Sequence, residues 1–222
     1  MNNFSCPFCD TSIETNGKAY VTECEHFPIS APKNHRIPYI VSNLKNINQN
    51  SIVLDVGGFT GIFAKCMVNT FNPIMHIFEP TTKYYHILQS KFKEATIYNY
   101  GLGSYTRTET IYVDGQNTSI HQHWTKNAQK EIINLVAIKS FLDEFNQPID
   151  LLAINCEGGE YEILPELINS THIHRVKQIL IQFHELDEYS YHQANEICKQ
   201  LTKTHHQTLN AGLWKWVLFE LK

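Results

Sequence analysis

The 222-residue chain carries little charge: Asp, Glu, Lys and Arg make up 18% of it, and the net charge is −4 with His neutral. No basic field is present to attract polyanions, so nucleic acid is not an expected partner. No apolar run approaches the ~18 residues that a membrane span needs, so no membrane partner is expected either. The opening residues, MNNFSCPFCD, lack the basic-then-apolar layout of a secretory leader. A cytoplasmic location is the resulting expectation, and there the six cysteines need no disulfides and read as thiols or metal ligands. Internal repeats and low-complexity tracts are missing too, which excludes solenoids and arrays.

What is present is the composition of an ordinary soluble globule, 42% hydrophobic. The length suits one α/β domain with a full core and a small appendage. Residues 1–32 differ in texture, holding three of the six cysteines and no long periodic segment. PISAP (28–32) reads as a linker, so the expected division is a Cys-rich head, 1–32, and a main domain, 33–222. HRIPYIVSNLKNI has helical spacing and reads as a lead-in helix. From Ser51 a regular alternation follows. SIVLDV, PIMHIFEP, ATIYNYGLG, TETIYVDG, INLVAI, IDLLAIN and VKQILIQFH read as strands. TGIFAKCMVNTF, TTKYYHILQSKF, the short SFLDEF, EYEILPELIN and YSYHQANEICKQL read as helices. WKWVLFEL alternates as a final strand. This order predicts an α/β fold: a mostly parallel sheet with helices on both faces and an antiparallel strand at the C-terminus. Gln116–Lys130 reads as a loop, and its polar stretch NTSIHQHWTKNAQK is the candidate substrate loop.

In VLDVGGFTGIFA, Asp55 ends a strand, and Gly57, Gly58 and Gly61 lead into a helix. Glycines allow a sharp turn and close approach to a ligand, and the helix start offers free N–H groups. The spacing is not GxGxxG, so a dinucleotide pyrophosphate fits poorly. Asp55 suits a ligand ammonium group, while Glu79, ending the next strand, can accept hydrogen bonds from both hydroxyls of a ribose. An adenosine with an amino-acid tail meets both requirements, and S-adenosyl-L-methionine is such a molecule. Taken singly, Asp55 as a helix cap and Glu79 as a solvated strand end would be sufficient readings.

VLDVGGFTGIFA, IFEP, NYGLGS, SFLDEF, IDLLAINCEGGEYEIL and IQFHE resemble, in order and spacing, the FkbM-type S-adenosylmethionine-dependent methyltransferases. The resemblance covers about residues 51–186, and IDLLAINCEGGEYEIL is its most specific block. It implies a class I methyltransferase (Rossmann-like) fold and methyl transfer to oxygen, commonly a hydroxyl of a sugar or natural product. It further implies that Asp55 and Gly57 lie against the methionyl part of the cofactor, that Glu79 holds the ribose, and that Gly101 and Leu102 lie by the adenine. Asn155 and Glu157 would face the transferred methyl group. Asn155 departs from the aspartate common in the family, and Ala153 stands where many members carry a lysine.

A hydroxyl acceptor must lose its proton to a base or with help from a metal. Glu157 follows one strand, and His184 and Glu185 end the next. His184, with an ordinary pKa near ~6.5, suits general-base work, although a packed histidine bonded to backbone is the structural alternative. Glu160 reads as an acid favouring the first turn of its helix. Asn155, Glu157 and His184 could also offer an O/O/N set to Mg or Mn. In the head, Cys6 and Cys9 form a C-P-x-C knuckle, and Cys24 with His26 supplies a second pair; together they suggest a structural zinc site, in which His35 could replace His26. A glutaredoxin-like dithiol is the rival, but no strand is evident before the motif; unpaired thiols are the remaining alternative. Cys66, Cys156 and Cys198 read as ordinary buried thiols.

The expected function is therefore an S-adenosylmethionine-dependent O-methyltransferase acting on a sugar, glycan or glycosylated small molecule, with His121, His123 and Trp124 near the acceptor. Two alternatives stand beside it. One is a catalytically weak binding module recruiting partners through a zinc head, which Asn155 and Ala153 favour. The other is nitrogen methylation of protein or nucleic acid, disfavoured by the acidic balance.

Overall fold

The computed structural model describes residues 4–5, 12–15, 20–21, 37–113, 118–119, 128–210 and 216–222. The chain opens with three short strands, β1 (Phe4–Ser5), β2 (Ser12–Thr15) and β3 (Tyr20–Val21). They form an antiparallel sheet in the order β1-β2-β3. A strand therefore does stand immediately before Cys6, contrary to the sequence reading. Cys6, Cys9, Cys24, His26 and His35 themselves lie outside the described residues, as do His121, His123 and Trp124.

The elements that follow are α1 (Ile37–Ser42), β4 (Ile52–Val56), α2 (Ile62–Phe71), β5 (Ile74–Phe78), α3 (Thr82–Lys91), β6 (Thr96–Tyr98), β7 (Gly101–Gly103), β8 (Arg107–Val113) and β9 (Gln129–Ala137). Next come α4 (Ile138–Glu144), β10 (Leu151–Ile154), α5 (Glu160–Ile168), β11 (Gln178–Gln182), α6 (Ser190–Leu201), β12 (His205–Asn210) and β13 (Trp216–Leu221). A seven-stranded sheet has the order β12-β13-β11-β10-β4-β5-β6. Strands β11, β10, β4, β5 and β6 run parallel, and β13 runs antiparallel to β11 and β12. The expected α/β architecture with an antiparallel C-terminal strand is thus found.

The apolar runs explain this arrangement. Every residue of β4 and β10 is buried, as strands covered on both faces require. Side chains alternate between two cores. Leu54, Val56, Phe78, Leu152 and Ile154 pack with residues of α4, α5 and α6. Val53, Ile77, Ala153 and Leu180 pack with those of α1, α2 and α3. The polar exception in β4 is Asp55, paired between Ala153 and Ile77.

A second three-stranded sheet, β7-β9-β8, was legible only as strands and a turn. The chain leaves β6 at Asn99, whose side-chain amide donates to the carbonyls of Glu79 (3.3 Å) and Pro80 (3.2 Å). It then enters β7, where a Cβ on Gly101 would come within 2.7 Å of Leu135. Arg107 of β8 donates to both carboxylate oxygens of Glu162 at 3.0 and 2.9 Å, tying this sheet to α5. The register extends beyond β8, since Ser119 exchanges backbone hydrogen bonds with Tyr112.

Among the described residues no helix is long and apolar enough to cross a membrane. The central pairing of β4 with β10 depends on packing at Leu54, which is fully buried opposite Leu152. Leu54→Ala should cost about 2–5 kcal/mol in chemical denaturation. A loss below ~1 kcal/mol would show that the core does not close on this pair.

Candidate active site

The parallel strands deliver their C-terminal turns to one edge of the sheet, where open α/β folds bind ligands. The turn after β4 is built on contact with the turn after β10. Gly57 has φ +93°, and a Cβ there would lie 2.0 Å from the Asn155 carbonyl oxygen. No other residue type fits that position. The N–H groups of Gly57 and Gly58 donate to the Phe78 carbonyl at 3.0 and 3.1 Å, and Asn155 N–H donates to Val56 at 2.9 Å. Three strand ends are thereby locked together.

Beside these turns lies a crevice of about 440 Å³, lined by Gly57, Gly58, Phe59, Glu79, Tyr84, Thr118, Asn155, Cys156, Glu157, Gln182 and His184, among others. Of the residues singled out from sequence, it gathers Gly57, Gly58, Glu79, Asn155, Glu157 and His184. Gly101 and Leu102 instead line a smaller apolar cavity of about 60 Å³, which shares Gly57, Pro80, Ile111 and Cys156 with the crevice. Asp55 is not among the walls of either. It is 3% exposed, and its Oδ2 has no hydrogen-bond partner. Burial, reinforced by the charge of Glu79, pushes its pKa up to about 7.

Glu79 is equally buried but well bonded. Its Oε1 accepts from Thr81 N–H (2.9 Å) and Oγ1 (2.6 Å), and its Oε2 accepts from Phe59 N–H (2.8 Å). A carboxylate offers about four lone-pair sites, so Oε2 retains one good site for a ligand. The remaining capacity of Glu79 to accept a hydrogen bond therefore lies on Oε2. Phe59, in the left-handed region at φ 45°, sets its ring 4.3 Å from that of Tyr84 and forms an aromatic wall that the sequence reading missed. An aromatic residue inside a glycine turn was the available signal.

At the other end, His184 is held between two carboxylates. Glu160, fully buried in the first turn of α5, accepts His184 N–H at 2.9 Å and contacts Nδ1 at 3.0 Å through the same Oε1. Its Oε2 accepts Gly158 N–H at 2.9 Å. His184 Nε2 lies 3.2 Å from Glu157 Oε1. Tyr161 donates its hydroxyl to the His184 carbonyl at 2.8 Å. Burial works against charging the ring, but hydrogen bonds and charge from Glu157 and Glu160 outweigh it and push the pKa up to about 10. The two carboxylates therefore favour the protonated ring, in contrast to the ordinary pKa expected from the sequence. Glu160, expected only to favour its helix, is the buried partner that fixes this histidine.

Asn155 lines the crevice with its Oδ1 buried and unpartnered. Cys156 contacts Glu160 Oε2 at 3.7 Å, and burial first, then the nearby glutamates, push its thiol well up, which disfavours the thiolate. Cys66 is buried, whereas Cys156 and Cys198 are half-buried free thiols. Among the described residues, no group of three or more His, Cys, Asp or Glu side chains is placed to hold a metal ion.

Fold and crevice together define a class I methyltransferase. The family model described as "Methyltransferase FkbM domain" matches residues 2–207, and the chain belongs to that family. A solved structure with a TM-score above 0.5 shares the fold, and others are similar to it more loosely. A Streptococcus mutans protein described as a candidate methyltransferase, in complex with S-adenosylhomocysteine, is 10% identical with a TM-score of 0.52, the match covering 84% of this chain and 97% of that one. An rRNA methylase from Streptococcus thermophilus is 9% identical with a TM-score of 0.45, covering 83% and 93%. TrmK of M. capricolum, solved with the same cofactor product, is 12% identical with a TM-score of 0.42, covering 82% and 67%. No curated protein matches the chain by sequence.

The histidine cluster links stability to pH. The folded ring keeps its proton to about 10, whereas an unfolded histidine releases it near 6.5. The cluster's contribution is therefore full below the unfolded value and is lost as pH rises through the folded one. Glu160→Gln removes one of the two anions, so the His184 midpoint should fall by at least a unit, as read by NMR of labelled histidine. A midpoint unchanged in the variant would contradict the assignment.

Proposed function

We propose that this S-adenosylmethionine-dependent methyltransferase transfers its methyl group to a hydroxyl oxygen, on a sugar, glycan or glycosylated small molecule. One observation carries the reading: a single crevice has the glycine turn and Glu79 among its walls and the Glu157–His184 pair among them too. In this reading Glu79 Oε2 takes a ribose hydroxyl, and the smaller cavity beside Gly101 and Leu102 receives the adenine edge. Asp55 gains full charge when the amino-acid tail brings an ammonium group near, and Asn155 Oδ1 gains a partner from the bound cofactor or acceptor.

Methyl transfer from a sulfonium is an in-line displacement, so orientation and proximity supply most of the catalysis. Glu157 is the base. His184, already protonated, holds that carboxylate in place and cannot itself accept a proton. A weak base is sufficient because the hydroxyl becomes far more acidic as its oxygen bonds to the methyl carbon, so the proton leaves late. The described walls carry two carboxylates and no Lys or Arg, which suits an uncharged hydroxyl acceptor better than a phosphate. The polar side chains of Gln182 and Thr118 in the same walls suit an acceptor bearing hydroxyls.

Calorimetry should detect S-adenosylhomocysteine binding, weakened roughly 10–100-fold by Glu79→Ala. Glu157→Gln should retain binding while lowering turnover by about 10²–10⁴-fold on a panel of glycosides, followed by mass spectrometry. Absence of binding at millimolar cofactor product, or methylation of amines in preference to hydroxyls, would overturn the reading.

A further inference from the structure

Glu157 has an unusual backbone. Its φ is +51°, in the left-handed region that side chains other than glycine rarely adopt. Such a conformation costs of order 1–3 kcal/mol and persists only when its surroundings hold it. The following residue, Gly158, is also left-handed at φ +112°, so the turn between β10 and α5 is doubly irregular. The carboxylate of Glu157 is anchored to His184, but that bond fixes only the end of the side chain. The backbone needs its own restraint.

That restraint comes from outside the central sheet. Ser119 Oγ donates to the Glu157 carbonyl at 3.0 Å, across 38 positions of sequence. Ser119 is 1% exposed and is itself fixed by two backbone hydrogen bonds with Tyr112 of β8, at 2.9 and 3.1 Å. Its neighbour Thr118 lines the crevice, and Ser119 lines the adjoining cavity. The polar stretch singled out in the sequence as a substrate loop thus reaches the site through these two residues. A buried hydroxyl donating to the carbonyl of a strained residue is a specific restraint, since that carbonyl precedes α5 and lies outside its hydrogen-bond ladder.

We propose that Ser119 is a positioning residue: through the Glu157 carbonyl it couples the segment that meets the acceptor, at Thr118, to the aim of the Glu157 carboxylate. A chain held at Thr118–Ser119 keeps Glu157 turned toward His184 and the crevice. Loss of the hydroxyl lets the turn relax and the carboxylate swing from the ring. What Glu157 then fails to do rests on the methyl-transfer reading, but the coupling itself does not.

The test uses the full chain with labelled histidine, the His184 signal being assigned by its loss in His184→Gln. Ser119→Ala should lower the His184 titration midpoint by a unit or more, as one of its two anions withdraws. Turnover on any accepted hydroxyl should fall about ten-fold. Ser119→Thr, which keeps the hydroxyl, should restore the parent signature, and Ser119→Cys, nearly the same size but a poor donor, should lower the midpoint should the alanine variant fold poorly. An unchanged His184 midpoint in Ser119→Ala would overturn the proposal. A midpoint lowered equally in Ser119→Thr would also overturn it, by making the effect independent of the hydroxyl. Failure of the parent chain to bind S-adenosylhomocysteine would instead count against the methyl-transfer reading, and the histidine signature would still decide the coupling.

Discussion

The contact between Gly57 and the Asn155 carbonyl is the constraint from which the rest of the site follows. Parallel pairing of β4 with β10 sends two turns off the same sheet edge, side by side. They can lie this close only because Gly57 has no Cβ, at a place where one would stand 2.0 Å from a carbonyl oxygen. With that approach made, the glycine turn and Glu79 belong to one crevice with Asn155, Glu157 and His184. Were the turns held apart by a side chain, the two halves would be separate features of a sheet edge. Packing thus sets the geometry first, and the polar groups fill it.

Electrostatics then divides the crevice. Asp55 and Glu79 are buried carboxylates with raised pKa values, dominated by loss of solvent. Glu79 offsets that burden with three hydrogen bonds, while Asp55 keeps an unpartnered oxygen. A cationic ligand would relieve both. At the other end the burden is already met within the protein, since an imidazolium is shared by two carboxylates. One end leaves a buried carboxylate oxygen without a partner, whereas at the other the carboxylates and the ring satisfy one another.

Much of this was legible in the sequence, because it rests on local pattern. Buried parallel strands are continuous apolar runs, so SIVLDV, IDLLAIN and VKQILIQFH were recognisable, and the residues just past their ends were candidates by position. The antiparallel β13 followed from reading QTLN and WKWVLFEL as a hairpin-like pair, which β12 and β13 form. What was hidden depends on distant contacts. Glu160 looks like any acid in a first helical turn, and only its meeting with His184, 24 positions on, makes it the group that fixes a ring. His184 had an ordinary expected pKa for the same reason. The separate β7-β9-β8 sheet was missed because periodicity identifies strands and not their partners. Ser119 carries no local signal, being one hydroxyl in a polar stretch.

The central claim is that one crevice holds the methyl donor at the glycine turn and presents its sulfur to Glu157. A crystal structure with S-adenosylhomocysteine bound tests this most directly. The account predicts a ribose hydroxyl on Glu79 Oε2, the adenine at the cavity beside Gly101 and Leu102, and the sulfur facing an open space bordered by Glu157 and Asn155. A cofactor product whose sulfur points away from Glu157, or which binds outside the crevice, would contradict it.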